Sequence, residues 1–562
     1  MRITDKIKNI SFSQMILYLS LFFVGIFYEY LSSVLSVVLL VWLTVRLIKT
    51  GKLKVEMSVT FIAVSVLVIS YAVTSIWALD RGTAIFGFFK FLPLFLYTLV
   101  LMQDGDGKEK VIFGLPYVIT AMTVLSVIGM YIPIISNYFK VSERLSGFFQ
   151  YPNTFALVIL VAELLLLTRA RVSIPDYVCM VVLLFGILYT GSRTVLILAI
   201  VSNIAALLIN KNKKVRWITL ICIVLGVVAA LVYCFVTDNF WVLERYFKIS
   251  FSESTFVGRI LYATDALPVI LKNPFGIGFK GYHYIQQSIQ TGAYSVMYIH
   301  NDFLQIMLDV GWIPCLAFVG AMVKTLFSKN VSLSHKLVLC VMLVHSLFDF
   351  NLQYVAVFMI LLLFTDLKPF KSVVLEKQRG TVVVFSVLLI LLCSYMAVGQ
   401  GMIRFGLYRV ADAVYPYSTQ CEIELLKECE DMEELDELAD SIIKRNSYVS
   451  VAYSAKSRVA YAQGDFEKVM EYKNKAIELA PLVSEEYREY AYMLINGIAL
   501  YTQAGDDYST EVCKDELFSL VDKLEAARAK VSELGAGIDT QPNLKFPLEI
   551  EEYLDRLEAE MK

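Results

Sequence analysis

The chain has 562 residues, of which 57% are hydrophobic and 18% charged, and its mean hydropathy is +0.62. A soluble globular protein is nearer half apolar and a quarter charged, so this composition excludes an ordinary soluble domain. The formal net charge of −2 and the absence of a large basic block argue against nucleic acid as a partner.

Long apolar runs dominate residues 1–400, whereas residues 401–562 are rich in Glu, Asp and Lys. Because a helix needs about 20 apolar residues to cross the hydrocarbon core, the first region predicts an all-α, polytopic membrane helix bundle of about 12–13 spans. The second region predicts a water-soluble helical domain. The predicted spans are residues 13–28, 30–48, 58–78, 84–102, 111–131, 152–168, 174–190, 194–210, 217–236, 302–326, 336–350, 352–367 and 381–400.

The lysine and arginine content of the short loops predicts how the bundle is oriented. Cytoplasmic loops carry an excess of these residues, and alternate loops are rich in them, for example residues 49–54 and 211–216. With the N-terminus in the cytoplasm, this pattern places the long loop 237–300 outside. An odd number of spans also places residues 401–562 outside. We therefore expect a multi-pass protein of the cytoplasmic (inner) membrane with an extracytoplasmic C-terminal domain.

The nine cysteines lie mostly within the predicted spans, and no group of Cys and His has the spacing of a metal site. We therefore expect neither a metal nor another cofactor. Cys421 and Cys429 could form a disulfide if the C-terminal domain is extracytoplasmic. The odd cysteine count and the helical context favour free thiols instead.

The C-terminal region contains one segment with a recognisable rhythm. Residues 448–481 read as two amphipathic helices on either side of a turn at Gly464. This segment resembles one tetratricopeptide repeat, whose period is 34 residues, and residues 404–445 and 484–533 look like degenerate neighbours. Two interpretations remain open: a concave surface that docks a protein or a glycan, and a helical cap that stabilises the membrane domain.

Polar motifs lie at the predicted outer ends of several spans, where charged groups are costly and therefore functional suspects. His345 and Asp349 are four residues apart, so we expect them on one face of a helix. The motifs are the run Arg144 to Asn153, the turn Thr190-Gly191-Ser192-Arg193, the pair Gly258-Arg259 that opens an amphipathic stretch, the run His300 to Gln305 with Asp302, and His345 with Asp349.

The arginines and histidines of these motifs suit one kind of chemistry. Arginine stays charged and forms bidentate hydrogen bonds to phosphate oxygens, so Arg144, Arg193 and Arg259 suit a pyrophosphate at headgroup depth. Histidine takes a proton from a hydroxyl near neutral pH. Together they suit transfer of a group away from a lipid-linked pyrophosphate, with the arginines stabilising the departing charge.

Structural interpretations of the same residue types remain open. An interfacial cation, such as Lys90, often only snorkels to lipid headgroups. A histidine at a helix start, such as His300, is often a cap, and His345 with Asp349 can form a buried pair that stabilises a helix. Glu163, deep inside a span, either neutralises a buried cation or faces a wet cavity.

The motifs, in their order and spacing, resemble the O-antigen ligase and polysaccharide polymerase superfamily over about residues 80–365. The resemblance implies a metal-independent, inverting glycosyltransferase of the C-type membrane architecture. The implied donor is an undecaprenyl-diphosphate-linked glycan, and the implied acceptor is a hydroxyl of a glycan, a lipid-linked sugar or a protein.

Carried over by position, the resemblance implies a role for each motif. Arg193 and Arg259 bind the diphosphate in this interpretation, and His300 activates or orients the acceptor hydroxyl; these three are the predicted catalytic residues. The soluble C-terminal domain departs from the shortest ligases and leaves the acceptor open. The predicted substrate-binding residues are Arg144, Asn153, Asp302, His345 and Asp349.

We therefore expect an enzyme that polymerises or ligates a lipid-diphosphate-linked oligosaccharide on the outer face of the cytoplasmic membrane, in cell-surface polysaccharide biosynthesis. A protein O-oligosaccharyltransferase is the first alternative. A lipid-linked sugar transporter or flippase is a further one, although no internal repeat or Gly/Pro-broken helix pair supports it. A scaffold is the third. Expected partners are the donor, the acceptor, membrane lipids and other envelope-assembly proteins bound through the repeats.

Overall fold

A computed structural model describes residues 10–238, 240–247, 253–376 and 378–561. Helices account for most of these residues, so the predicted all-α, polytopic class is confirmed. Residues 239 and 248–252 of the predicted outer loop lie outside the described residues. The chain forms two compact units. The first comprises Met1–Val73, Phe86–Ser250 and His300–Gly401, and the second comprises Thr74–Ile85, Phe251–Ile299 and Met402–Lys562.

Apolar helices of the first unit, some of which extend past its edges, coincide with the predicted spans. Five of them are long and apolar enough to cross a membrane by length and composition: Glu29–Thr50, Arg81–Gln103, Gly107–Gly129, Lys213–Thr237 and Arg379–Arg404. The others are Phe12–Phe22, Val59–Thr74, Pro152–Leu167, Ile174–Tyr189, Arg193–Ile209, Asp302–Val310, Trp312–Phe327, Leu333–His345 and Val355–Leu363, with short helical turns at Val24–Ile26, Ser136–Phe139, Gly147–Phe149 and Asn351–Gln353. The short helix Trp241–Phe247 lies in the predicted outer loop.

The helix Pro152–Leu167 forms the centre of this unit. Every residue in it except Asn153 is buried, and it packs against the helices Gly107–Gly129, Ile174–Tyr189 and Arg193–Ile209. A helix that is apolar all round is stable only when it is surrounded. Pro152 occupies its first turn, where a missing backbone N–H costs nothing. The residues just before and within this turn are therefore held rigidly.

The predicted span 302–326 is wrong in one respect, because two helices separated by Gly311 take its place. Gly311 has φ 88° and ψ −176°, a conformation that is essentially open to glycine alone. The buried Asp309 lies next to the break and accepts hydrogen bonds from Gln305 Nε2 at 2.8 Å and from the Tyr71 hydroxyl at 3.2 Å. A satisfied polar group inside the bundle therefore accompanies the break.

The predicted span 352–367 contains a helix of only nine residues, Val355–Leu363, all of them buried. At about 1.5 Å per residue it is roughly 14 Å long, less than the hydrocarbon thickness of about 30 Å. Its full burial explains how it is accommodated, since neighbouring helices and not lipid surround it.

Two short antiparallel ribbons are the β structure of the described residues. In the larger one, which we term the inner ribbon, Leu53–Met57 pairs with Lys371–Leu375, from Leu53 opposite Leu375 to Met57 opposite Lys371. Both of its strands belong to loops that the charge pattern predicts to be cytoplasmic. The smaller ribbon pairs Lys140–Val141 with Arg144–Leu145.

The second unit is built from helical hairpins around an apolar core that includes Phe466, Tyr487, Tyr490 and Leu517. Its helices are Ser254–Lys272, Gly281–Ile289, Tyr408–Val414, Thr419–Glu428, Met432–Arg445, Ser450–Ala462, Phe466–Leu479, Ser484–Ala504, Asp507–Lys530, Glu533–Ala536 and Leu548–Met561.

The helix pair predicted around Gly464 is confirmed as Ser450–Ala462 and Phe466–Leu479. Gly464 has φ 74°, the left-handed conformation that ends a helix most easily at glycine. The kinship of this pair with tetratricopeptide repeats stays a prediction. All nine cysteines, including Cys421 and Cys429, are free thiols.

The helix Ser254–Lys272 covers the amphipathic stretch predicted to begin at Arg259. By length and composition it also qualifies as a candidate membrane span. Its buried Asp265 accepts hydrogen bonds from the Thr291 backbone N–H at 2.9 Å, the Thr291 hydroxyl at 2.8 Å and the Tyr294 hydroxyl at 2.8 Å. The polar side of this helix is therefore bound within the second unit.

Candidate functional site

A buried carboxylate lies at the centre of the candidate site. Asp349 is 1% exposed and accepts hydrogen bonds from the Tyr151 hydroxyl at 2.9 and 3.1 Å and from Asn153 Nδ2 at 2.9 Å. The backbone N–H of Phe350 donates a further one at 3.0 Å. His300 Nδ1 lies 3.2 Å from Asp349 Oδ1. A carboxylate in this position orients the imidazole.

The predicted pairing of His345 with Asp349 on one helical face is wrong. The helix ends at His345, whose Nδ1 lies 2.7 Å from Asn351 Nδ2. The turn that follows is fixed from a distant segment, because the buried Asp302 carboxylate accepts the Leu352 backbone N–H at 3.0 and 3.1 Å. Such bonds satisfy backbone groups that a longer helix would otherwise satisfy. Asp302 and His345 therefore hold the turn that presents Asp349.

Arg144 connects Asp349 to the Thr190–Arg193 turn. Its Nη2 donates to Asn153 Oδ1 at 2.7 Å, and its Nε donates to the Thr190 carbonyl at 2.8 Å. Burial, and then the nearby Arg245, lower the pKa of the Arg144 guanidinium to about 10. The group stays charged at neutral pH, and an anion bound beside it would stabilise that charge.

Two further arginines surround the same turn. Arg245 Nε donates to the Gly191 carbonyl at 3.1 Å, and Arg193 Nε donates to the Arg245 carbonyl at 2.8 Å. Gly191 has φ 61°, and a Cβ there would lie 3.4 Å from Arg144 Nε and 3.5 Å from Arg245 Cδ. We term Arg144, Arg193 and Arg245 the arginine cluster. Its geometry suits the several oxygens of a diphosphate.

Two residues of this arrangement were not singled out by sequence reasoning. Arg245 lies in the long loop without a surrounding motif, so the sequence carries no signal for its role. In the structure its guanidinium carbon lies 5.7 Å from the centroid of the Trp241 ring. Tyr151 lies inside the Arg144–Asn153 run, but nothing in the sequence indicates which carboxylate it would meet.

The structure does not place all predicted site residues in one unit. Arg144, Asn153, Arg193, His300 and Asp349 belong to the first unit, and all but Arg193 are connected directly by the hydrogen bonds and the ion pair above. Arg259 lies in the second unit, on the helix Ser254–Lys272. Its part in diphosphate binding stays a prediction.

Two charged residues with open interpretations have partners inside the first unit. Lys90 is wholly buried; its Nζ donates to the Phe27 carbonyl at 3.0 Å and lies 3.5 Å from the Glu29 carboxylate. Glu163 Oε1 accepts from Asn203 Nδ2 at 3.0 Å, between two neighbouring helices. The buried Lys90 is thus paired with the partly exposed Glu29 instead of snorkelling to lipid headgroups.

A family model described as O-Antigen ligase matches residues 178–319, about a quarter of the chain. No curated protein matches the chain. The match supports the O-antigen ligase superfamily and, with it, a membrane enzyme of the glycosyltransferase type in polysaccharide biosynthesis. The matched segment contains Arg193, Arg245, Arg259, His300 and Asp302, whereas Arg144, Asn153, His345 and Asp349 lie beyond it.

Proposed function

We propose that this protein transfers a glycan from undecaprenyl diphosphate to an acceptor hydroxyl at the outer face of the cytoplasmic membrane. The proposal rests on one observation: a hydrogen-bonded path runs from the arginine cluster through Asn153 to Asp349, which lies against His300. The path joins a site for a leaving diphosphate to a site for proton removal. The O-Antigen ligase match supports a membrane glycosyltransferase or ligase of polysaccharide biosynthesis.

The transfer is a single displacement at the anomeric carbon. The acceptor hydroxyl gives its proton to His300 Nε2 as its oxygen bonds the anomeric carbon, and the bond from that carbon to the diphosphate oxygen breaks. Nδ1 carries its own proton toward Asp349, which stabilises the imidazolium that forms. One displacement from the face opposite the leaving group inverts the anomeric configuration.

The arginine cluster acts on the leaving group. Negative charge grows on the diphosphate as the glycosidic bond breaks, and guanidinium groups fixed by carbonyl and amide oxygens need no reorganisation to stabilise it. A role of Arg259 in diphosphate binding stays a prediction from the sequence. No metal enters the step, since the arginines carry the charge stabilisation.

The acceptor is a glycan, a lipid-linked sugar or a protein hydroxyl. The extracytoplasmic location of the second unit and its tetratricopeptide-like hairpins belong to this proposal, because they would place a helical surface on the side where acceptors arrive. A polymerase adds the glycan to another lipid-linked chain, and a ligase adds it to a different acceptor.

The decisive experiment uses purified protein in lipid nanodiscs with an undecaprenyl-diphosphate oligosaccharide and each class of acceptor. We expect release of undecaprenyl diphosphate together with a longer or transferred glycan. His300→Ala and Arg193→Ala should abolish both. The matched controls are His335→Ala and Arg171→Ala, which change the same residue types on the predicted cytoplasmic side.

Two results would contradict the proposal. Movement of the lipid-linked glycan between leaflets of proteoliposomes without any covalent change would mark a transporter. Undiminished product from both His300→Ala and Arg193→Ala, with protein shown to be folded, would remove the assigned chemistry.

A further inference from the structure

The segment between the first two helices has an unusual backbone conformation. Val24, Gly25 and Ile26 have φ values of 50°, 57° and 56°. Branched residues disfavour this left-handed region, so it persists only where the surroundings enforce it. A Cβ on Gly25 would overlap the ring of Phe149, which precedes Asn153 in the candidate site. The strained turn is therefore pressed against the site.

The strained turn directs the next four residues, Phe27 to Tyr30, which we term the Phe27–Tyr30 segment. The wholly buried Lys90 binds it twice, through the Phe27 carbonyl at 3.0 Å and the Glu29 carboxylate at 3.5 Å. The ammonium also lies 4.9 Å from the centroid of the Phe27 ring. Burying a charge is expensive unless it is paired, so Lys90 and Glu29 fix each other's position.

Aromatic rings connect this segment to His300. Phe27 lies 4.7 Å from Tyr354 and 6.5 Å from Phe350, measured between ring centroids. The Phe350 ring lies 5.0 Å from the His300 ring and stacks on Tyr151 at 4.9 Å. The side chains of Tyr28 and Tyr30 are partly exposed and stack on each other at 6.1 Å. A run of rings therefore leads from His300 through Phe350 and Phe27 to Tyr28, the residue before Glu29.

The site is electrostatically polar along this run. The arginine cluster lies on the Asn153 side of Asp349, whereas Glu29 and the aromatic rings lie on the Phe350 side of His300. The Glu29 carboxylate, neutralised by Lys90, offers no net positive charge to bind a diphosphate. It accepts hydrogen bonds from hydroxyl groups, and aromatic faces cover the apolar face of a sugar ring. The two ends therefore suit different parts of the reactants.

We propose that the Phe27–Tyr30 segment, held by Lys90, is the subsite for the acceptor sugar. A pyranose stacks on Tyr28 or Tyr30, its hydroxyls donate to Glu29, and its reacting hydroxyl points along the aromatic run to His300. The inference rests on the proposed function, because it assigns the acceptor to the end of the site that the diphosphate does not occupy.

The test measures acceptor and donor dependence separately in the transfer assay. Tyr28→Ala and Glu29→Gln should raise the acceptor KM by about tenfold or more and leave the donor KM within about twofold. Because Glu29→Gln alone leaves Lys90 without its charged partner, the double variant Glu29→Gln/Lys90→Met provides a second measurement with no buried charge. Tyr138→Ala and Glu143→Gln, two exposed residues of a neighbouring outer loop, are the controls.

The outcomes separate the two proposals. Absence of transfer by the unmodified protein would defeat the proposed function itself. Transfer by the unmodified protein, with acceptor KM values in the segment variants equal to those of the controls, would overturn the subsite. A rise in donor KM, or a fall in kcat without any change in acceptor KM, would overturn it as well.

Discussion

Asp349 shows how a single side chain organises the candidate site. Its hydrogen bonds from Tyr151, Asn153 and the Phe350 backbone leave the carboxylate little freedom to rotate. Because the carboxylate is fixed, the imidazole of His300 that lies against it is oriented as well. Because Asp349 acts through its contact with His300, its role can be tested by changing Asp349 while the histidine is kept.

Replacing Asp349 by Asn should reduce kcat by about 10²-fold or more, because an amide of the same size does not stabilise an imidazolium. The acceptor KM should change little, since the sugar does not touch this buried group. Initial rates at several acceptor concentrations measure both quantities. Asp507→Asn, at an exposed position of the second unit, is the control, and full activity of Asp349→Asn would contradict the proton-transfer role.

Replacing Gly191 by Ala tests the turn within the arginine cluster. The left-handed conformation costs an Ala about 1–2 kcal/mol, so the turn tends to shift its backbone, and the new Cβ would lie in van der Waals contact with Arg144 and Arg245, which move with the turn. We expect transfer to fall about tenfold or more, since small displacements of positioned groups are costly in rate. Gly401→Ala, where the structure leaves open space, is the control. Equal rates for the two variants would show that the cluster tolerates displacement.

For single residues, the sequence indicates which side chains are candidates for chemistry better than it indicates which of them are in contact. Phosphate binding by Arg144 and Arg193 and proton transfer by His300 are predictions that follow from the residue types and from their location at span ends. The contact of His300 with Asp349 joins two separate segments, so no local spacing reveals it. His345, which is closer to Asp349 in sequence, was misleading. An i, i+4 pair requires one continuous helix, whereas the helix ends at His345.

Among the elements, the broken pair of helices at Gly311 is the clearest departure from a uniform bundle. Long apolar helices are predictable, since bilayer thickness and the need to satisfy backbone hydrogen bonds leave few alternatives. The break is not predictable from apolarity, because Trp312–Phe327 is as apolar as its neighbours. The break lies at Gly311, beside the buried Asp309, whose partners Tyr71 and Gln305 come from the surrounding fold and from its own helix.

Replacing Gly311 by Ala should destabilise the protein by about 1–3 kcal/mol, because its backbone conformation is essentially restricted to glycine. Thermal unfolding in detergent would register this as a lower Tm. Gly320→Ala, in the interior of the following helix with open space around it, should leave the Tm unchanged or raise it slightly. A Tm of Gly311→Ala equal to that of Gly320→Ala would show that the break is not required.

For the whole molecule, the contacts group segments by their predicted side of the membrane. The inner ribbon joins two loops predicted to be cytoplasmic, and Lys108, predicted on the same side, donates to the Thr365 carbonyl at 3.0 Å. The contacts of Asp349 join segments predicted to be outside. These contacts agree with the alternation of the charge pattern, and the orientation itself stays a prediction.

The side on which the C-terminal domain lies is open to direct measurement. We expect alkaline phosphatase fused after residue 562 to be active and a green fluorescent protein fused there to be dark, because an odd number of crossings places this end outside. Fusions after residue 330 provide the opposite reference. A fluorescent C-terminal fusion would show that one predicted span, such as the short 352–367, does not cross.

The inner ribbon also has a bearing on how the protein is made. Its first strand, Leu53–Met57, is synthesised early, and its partner, Lys371–Leu375, leaves the ribosome only after more than half of the chain. Until then the first strand presents unpaired backbone groups at the membrane surface, a state that invites association with other chains. Closure of the ribbon is thus a late event in biogenesis, and a chain that stalls before it carries an exposed strand edge.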